Sequence, residues 1–261
     1  MTKHNAANER IKRDYYRYLK EAKGRDDATI DAVAKSLVRF EDSTGRKEFR
    51  PRHHFSFASY HDPERMAWGS IRVWNDDRIA AKSGFPAHPH RDMEIITYVR
   101  SGAISHQDSL GNQGRTPAGD VQVMSAGTGV THAEFNLEDE ETTLFQIWIE
   151  TDRRGAPPSW GMMPFPKEER DGNFQLLASG AAEDGALTIN ADAKILGATL
   201  RAGTSIAFDA DPTRHLYLVP SGAVRVNGVA AGPRDGVAIT GEERVEIEAM
   251  SDAELVLVDA R

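Results

Sequence analysis

The sequence predicts an all-β protein built from two similar antiparallel sandwiches or barrels in tandem, with a helical hairpin in front of them. Three observations predict it. From residue 52 onward, short segments of period-two hydrophobicity follow one another, and Gly, Pro, Asn and Asp interrupt them. No helical pattern intervenes between these segments. After a stretch rich in Pro and charge at 152–172, the same strand pattern resumes, so the second half repeats the architecture of the first.

The first 45 residues have the period of helices instead. Apolar residues recur at helical spacing between 6 and 23, and Gly24 follows as a stop signal. Asp27 can cap a second helix, whose apolar stripe ends before Gly45. We therefore expect residues 1–45 to form a helical hairpin. The predicted divisions of the chain are 1–48 for the helical extension, 49–160 for the first barrel and 161–261 for the second.

The predicted strands are short and closely spaced in both halves. In the first half they are HHFSFASY, GSIRVWND, EIITYVRSG, AISHQDS, DVQVMSAG and TLFQIWIET. In the second half they are FQLLAS, LTINA, AKILGATL, SIAFDA, HLYLVPSG, AVRVNG, GVAIT, RVEIEA and ELVLVDA. Neither set leaves room for crossover helices, which favours antiparallel pairing.

Composition excludes several classes of function. The 261 residues include no cysteine, which excludes disulfides, iron–sulfur clusters and thiolate zinc sites. No run of 18 apolar residues and no apolar signal segment is found, so we expect a cytoplasmic protein without membrane contact. The formal net charge of −8 disfavours nucleic acid as a partner, although residues 1–52 carry 14 Lys and Arg against 9 Asp and Glu.

Four residues in the first half are spaced as two ligand pairs: His88 and His90 in HPH, and His132 and Glu134 in HAE. Residues two apart on a strand point to the same face, so each pair can present two ligand atoms to one cavity. Three imidazoles and one carboxylate favour a divalent first-row ion such as Fe, Ni, Cu, Co or Zn. The alternative is that these are separate surface histidines, since nine histidines in this chain make some close pairs expected by chance.

The sequence around these pairs resembles a known family. Gly84, Glu94 and Gly102 frame HPH, and GDVQVMSAGTGVTHAEFN frames HAE, which is similar to the paired motifs of a cupin barrel. HPHRDMEI and SAGTGVTHAE, together with HHFSFASY and LFQIWI, resemble the pirin family of bicupins over residues 53–261. The likeness is greatest to its bacterial members with quercetin 2,3-dioxygenase activity.

The resemblance implies a second, degenerate cupin barrel and a metal held by His88, His90, His132 and Glu134. It also implies that Glu134 displaces Glu94 as a ligand. We expect iron, with nickel, copper, cobalt, zinc or manganese as alternatives. The implied reaction opens a flavonol such as quercetin with O2 and releases carbon monoxide. Glu134, as the catalytic base, would take the proton of the substrate's 3-hydroxyl.

Two other functions use the same residues. The protein could be a metal-binding regulatory pirin that acts through a protein partner, with residues 1–45 as the contact surface. It could also be a cupin isomerase or hydrolase, which needs the same ligands but no oxygen. In the second half, His215 stands alone without an H-x-H or H-x-E pair, so we expect it to be structural.

Overall fold

The computed structural model describes residues 52–181 and 185–261, so the predicted helical hairpin lies outside the described residues. Within those ranges the chain forms twenty β-strands and one short 3-10 helix, Lys167–Arg170. No helix in these two ranges is long and apolar enough to cross a membrane.

The first barrel is built from two antiparallel sheets that face each other. Its strands are β1 (Arg52–His53), β2 (Ile71–Ile79), β3 (Ser83–His90), β4 (Met93–Ser101), β5 (Ala103–Asp108), β6 (Gln113–Pro117), β7 (Val121–Ser125), β8 (Val130–Asn136), β9 (Thr142–Glu150) and β10 (Ser159–Met163). One sheet has the order β1-β2-β9-β4-β7-β10 and the other the order β3-β8-β5-β6.

The second barrel repeats this plan of two facing sheets, with one parallel strand pair at the edge of the larger sheet. Its strands are β11 (Gln175–Ser179), β12 (Leu187–Thr188), β13 (Ala193–Leu200), β14 (Ser205–Asp209), β15 (His215–Pro220), β16 (Val224–Val226), β17 (Val229–Ala231), β18 (Val237–Ile239), β19 (Arg244–Ala249) and β20 (Ala253–Ala260). Its sheets have the orders β12-β11-β13-β20-β15-β18 and β14-β19-β16-β17, so β14 and β19 occupy the places of β3 and β8. The predicted all-β fold of two tandem cupin barrels is confirmed.

The two barrels pack through their six-stranded sheets. One continuous core joins Trp74, Tyr98 and Phe145 of the first barrel to Tyr217 and Val258 of the second. Strands β2, β4 and β9 are therefore buried on both faces, because one face contacts the partner barrel and the other lines the interior of their own. This double burial removes the simple apolar and polar alternation that marks a half-exposed strand.

The interiors of the two barrels differ in chemistry. On β8, the buried side chains at alternate positions include His132 and Glu134. On β19, the corresponding strand, they are Val245, Ile247 and Ala249, which belong to a wholly apolar core. The second barrel is therefore filled with hydrocarbon where the first has imidazole and carboxylate side chains, as expected for a degenerate repeat.

The Pro-rich segment at 152–172, predicted as a connector, joins the two barrels but also contains β10 and the 3-10 helix. Strand β10 pairs with β7, with Trp160 opposite Met124. The segment thereby adds an edge strand to the larger sheet of the first barrel and brings Trp160 close to the candidate site.

Candidate metal centre

Strands β3 and β8 form the frame of the site. They are antiparallel neighbours, and His88 lies directly opposite His132. His90 lies two residues from His88 and faces the same side. The three imidazole rings cluster, with ring centroids 4.5 to 5.0 Å apart. Neighbouring strands thus bring two distant parts of the sequence to one point.

The nitrogen atoms of this cluster fit a metal ion. One ligand atom from each of His88, His90 and His132 lies within 4.8 Å of the other two. His88 Nε2 and His132 Nε2 are 3.1 Å apart. Because metal–imidazole bonds are about 2.0–2.1 Å long, two such ligands at roughly a right angle stand about 3 Å apart. The observed spacing therefore matches two ligands of one ion.

A hydrogen bond orients His88 for this role. Its Nδ1 lies 2.7 Å from the carbonyl oxygen of Pro86. A carbonyl can only accept, so His88 Nδ1 carries the hydrogen and Nε2 keeps its lone pair. This lone pair is directed to the same place as His132 Nε2.

The pKa values of two of these histidines favour their neutral, metal-binding forms. Burial lowers the pKa of His90 to about 4 and that of His132 to about 3, and the neighbouring His88 lowers both further. Metal binding requires an imidazole without the extra proton, and these two side chains are already in that form near neutral pH.

Glu134 is buried beneath the histidines and is held by two amides. Gln122 Nε2 donates to Glu134 Oε1 and Gln146 Nε2 donates to Glu134 Oε2, each over 2.7 Å. Burial raises the pKa of Glu134 to about 7, although bonds from Gln146, Thr97 and Gln122 oppose the rise. The side chain can therefore hold or release a proton near neutral pH.

The structure brings Glu134 to the histidines through His132. Ligand atoms of Glu134, His132 and His106 lie within 4.8 Å of one another, as a second group that shares His132 with the first. Three of the four predicted ligands therefore form a histidine cluster, and the fourth, Glu134, lies beside His132. Glu94 faces the opposite side of β4. There Glu94 accepts a hydrogen bond from Ser125 Oγ.

Three contacting side chains were missed in the sequence. His106 approaches His132, with their Nδ1 atoms 3.4 Å apart, and Asp108 lies 3.2 Å from His106 Nε2. The indole of Trp160 stacks on the His106 ring, with centroids 4.8 Å apart and planes at 9°. The signal in the sequence was the H-x-D spacing of His106 and Asp108, which is the same as that of the other two pairs.

Aromatic side chains border the open side of the cluster. His88 and His90 are partly exposed, whereas His132 is buried. The rings of His90 and Trp148 are nearly perpendicular, with centroids 4.9 Å apart. The rings of Trp148 and Phe57 are also perpendicular, with centroids 5.3 Å apart. A flat apolar molecule would find aromatic contacts next to the ligand nitrogens.

Two cupin barrels with a histidine and carboxylate cluster in the first define a bicupin that fits a metal ion. Residues 36–149 match the family model of Pirin, and residues 176–260 match that of the quercetinase C-terminal cupin domain. The chain is 62% identical over 210 residues to "Putative quercetin 2,3-dioxygenase PA1210" of Pseudomonas aeruginosa. These residues are 80% of this chain and 90% of that protein. The chain belongs to the pirin family.

Two Escherichia coli proteins extend the comparison. Quercetin 2,3-dioxygenase of strain K12 is 43% identical over 209 residues, which are 79% of this chain and 89% of that protein. The crystal structure of the bacterial pirin YhhW in complex with nickel(II) is similar with a TM-score of 0.80 and 37% identity. The match covers 88% of this chain and 97% of YhhW.

Proposed function

We propose that this protein is a metal-dependent dioxygenase that opens the heterocycle of a flavonol such as quercetin. The observation that carries the proposal is the cluster of His88, His90 and His132, with the buried carboxylate of Glu134 beside it. Relatives named quercetin 2,3-dioxygenase, at 62% and 43% identity, support the choice of substrate class.

The proposed cofactor is one divalent first-row ion, held by the three histidines and Glu134. Iron was expected from the sequence, and the nickel in the complex of the related YhhW supports nickel as a second choice. When bound, such an ion supplies a Lewis-acid position for the substrate oxygen and allows chemistry with O2. The aromatic wall of Trp148 and Phe57 would hold the flavonol plane beside the ligands.

In the proposed reaction, Glu134 takes the proton of the substrate's 3-hydroxyl on a carboxylate oxygen. The amides of Gln122 and Gln146 fix the carboxylate. Thr97 Oγ1 also donates to Oε1, so the further lone pair for that proton is on Oε2. The ring carbon that bears the 3-hydroxyl then leaves as carbon monoxide, and both atoms of O2 remain in the ester product. The raised pKa of Glu134 suits a general base at neutral pH.

The test is anaerobic reconstitution of the full chain with Fe²⁺, Ni²⁺, Co²⁺, Mn²⁺, Cu²⁺ or Zn²⁺ in turn, followed by oxygen-electrode assays. We expect O2 uptake with quercetin, matched by release of carbon monoxide, for at least one metal. A flavone that lacks only the 3-hydroxyl is the control and should not consume O2. No uptake with any metal, across a panel of phenolics, would contradict the proposal.

Replacement of Glu134 by Gln should separate binding from chemistry. Because the amide cannot accept the hydroxyl proton, we expect turnover to fall by about 10²- to 10⁴-fold while part of the metal content remains. Glu150→Gln, at the exposed end of β9, is the matched control and should keep wild-type turnover. Wild-type turnover in Glu134→Gln would remove this carboxylate from the mechanism.

A further inference from the structure

Asp108 is fixed as a hydrogen-bond acceptor by the turn that joins β5 to β6. Its Oδ1 accepts from the backbone N–H groups of Leu110 at 2.9 Å and Asn112 at 3.0 Å. Its Oδ2 accepts from Asn112 Nδ2 at 2.9 Å. The fourth neighbour is His106 Nε2, 3.2 Å from Oδ2. Every group around this carboxylate other than His106 is a donor, so the carboxylate acts as an acceptor on both oxygens.

This arrangement determines the tautomer of His106 and then that of His132. Since Asp108 accepts, His106 Nε2 carries the hydrogen, and the neutral ring leaves a lone pair on His106 Nδ1. That nitrogen faces His132 Nδ1 at 3.4 Å, so His132 Nδ1 must donate. The lone pair of His132 is then on Nε2, which is 3.1 Å from His88 Nε2.

We propose that Asp108 and His106 are positioning residues that hold His132 as the Nδ1–H tautomer, with its Nε2 lone pair directed to the metal. Without them His132 could donate from Nε2 to His88, which would consume the lone pairs of both ligands in one hydrogen bond. Outer partners of this kind orient ligating imidazoles, and their loss typically weakens metal binding by about 10- to 100-fold. The inference rests on the metal site of the proposed function but not on its substrate.

The surroundings of His106 are built to keep this pair in place. His106 and Asp108 are both buried, and Trp160 stacks flat on the His106 ring. Gly114 lies opposite His106 on β6, and a Cβ at Gly114 would meet the Trp160 ring at 2.2 Å. The absence of a side chain at Gly114 therefore makes the space that Trp160 fills.

The key variant is Asp108→Asn, which keeps Oδ1 for the backbone N–H groups of the turn and replaces Oδ2 with an NH2 donor. The side-chain amide of Asn112, which donates to Oδ2 in the wild type, can rotate to accept from that NH2. His106 must then accept on Nε2 and donate from Nδ1, which forces His132 to carry its hydrogen on Nε2. In serine-protease triads, the same isosteric change leaves the geometry intact but stabilises the wrong tautomer. The control is Asp211→Asn, an exposed turn carboxylate that accepts from the backbone and hydroxyl of Thr213.

Two measurements on the full chain decide the question. Long-range ¹H–¹⁵N NMR of the histidine rings, recorded with a chelator present, reports the tautomer of His132 without any metal. Titration with Ni²⁺ against a competing chelator reports affinity. We expect Nδ1–H in the wild type and in Asp211→Asn, Nε2–H in Asp108→Asn, and a 10- to 100-fold loss of Ni²⁺ affinity only in Asp108→Asn.

An unchanged tautomer together with wild-type Ni²⁺ affinity in Asp108→Asn would overturn the proposal. Should that variant not fold, His106→Phe keeps the ring stack on Trp160 and the turn bonds of Asp108, and here too unchanged Ni²⁺ affinity overturns it. A second bound Ni²⁺ that disappears in His106→Phe would make His106 a ligand and equally overturn it. If quercetin is not consumed, only the proposed function fails, because the NMR measurement needs neither metal nor substrate.

Discussion

Three buried carboxyls of the first barrel have different surroundings. Glu134 accepts from two amides, and Asp76 forms ion pairs with Arg100 and Arg234. Asp77 is fully buried, and neither of its oxygens has a hydrogen-bond partner. Burial, with the negative charges of Asp76 and Glu134, raises the pKa of Asp77 well above its ordinary value. Of the three, only Asp77 has no hydrogen bond or ion pair to offset its burial, and the positive charge of Arg100 opposes the rise in its pKa only in part.

Replacement of Asp77 by Asn should stabilise the metal-free protein above neutral pH. A carboxyl whose pKa is raised on folding contributes stability that is complete below its unfolded pKa and is lost as the pH rises. We therefore expect the variant to exceed the wild type by about 1–3 kcal/mol in free energy of unfolding at pH 8. The difference should vanish near pH 4.

Urea denaturation of the two proteins at both pH values, with a chelator present, measures this difference. Asp152→Asn, at an exposed carboxyl, is the control and should not change the pH dependence. A difference between Asp77→Asn and wild type that stays constant with pH would contradict the explanation from burial.

The sequence was informative about ligand pairs but not about the residues that surround them. His88 and His90 could be placed together because strand geometry puts i and i+2 on one face. Strand pairing with β8 is a long-range contact, so the spacing alone left open whether these histidines meet His132, and the family likeness favoured a single site. His106 has the same i and i+2 spacing from Asp108, but its role depends on a turn and on a neighbour 26 positions away.

At the scale of elements, β10 is the clearest difference from the sequence expectation. Pro and charge in 152–172 indicated only a connector, because local composition reports chain flexibility and not the open edge of β7. Strands β2, β4 and β9 could be predicted as strands, but the sequence did not show which of their faces lines the barrel interior, because both faces are buried. Which face lines the site is determined by the partner barrel.

The contact between β6 and β10 yields a prediction. Gly114→Ala would place a Cβ 2.2 Å from the Trp160 ring, so the indole must shift from its present position on His106. We expect a loss of about 1–3 kcal/mol in stability and a changed tryptophan emission spectrum.

Gly161→Ala is the matched control for this substitution. Gly161 is the neighbour of Trp160 on β10, but a Cβ there would meet only Leu187, at an ordinary 3.6 Å. We expect little change in stability for this variant. Equal losses of stability in the two variants would show that strand β10 is sensitive to substitution in general, and that the stack of Trp160 on His106 is not the cause.

At the scale of the whole molecule, His54 lies between the two barrels. Its ring is fully buried, its Nδ1 is 2.9 Å from the hydroxyl of Tyr217 in the second barrel, and its Nε2 has no hydrogen-bond partner. Burial, followed by the positive charges of Arg65 and Arg234, lowers the pKa of His54 to about 3. The interface between the barrels therefore contains an imidazole that cannot be protonated without cost.

We expect this histidine to make the folded protein acid-sensitive. A histidine whose pKa is depressed contributes stability that is present above its unfolded pKa of about 6.5 and is lost as the pH falls towards the folded value. The loss from this one group approaches about 1.4 kcal/mol per pH unit. The difference in free energy of unfolding between His54→Gln and the wild type should therefore become smaller as the pH falls from 7 to 4.5.

Thermal or urea unfolding across this pH range measures the effect, with a chelator present so that metal release does not contribute. His61→Gln, at an exposed histidine, serves as the control, and its stability should change with pH as that of the wild type does. Parallel curves for His54→Gln as well would mean that other groups determine the acid response.

The shared sheet of the first barrel has a consequence for insertions and deletions. Along β9, Gln146 points to the carboxylate of Glu134, while Phe145 and Ile147 point to the other barrel. A one-residue slip of this strand would exchange these two sets, because successive side chains alternate between faces. Hydrocarbon would then surround the carboxylate and an amide would enter the interface between the barrels. A single inserted codon in β9 would therefore disrupt the candidate site and the packing of the two barrels together.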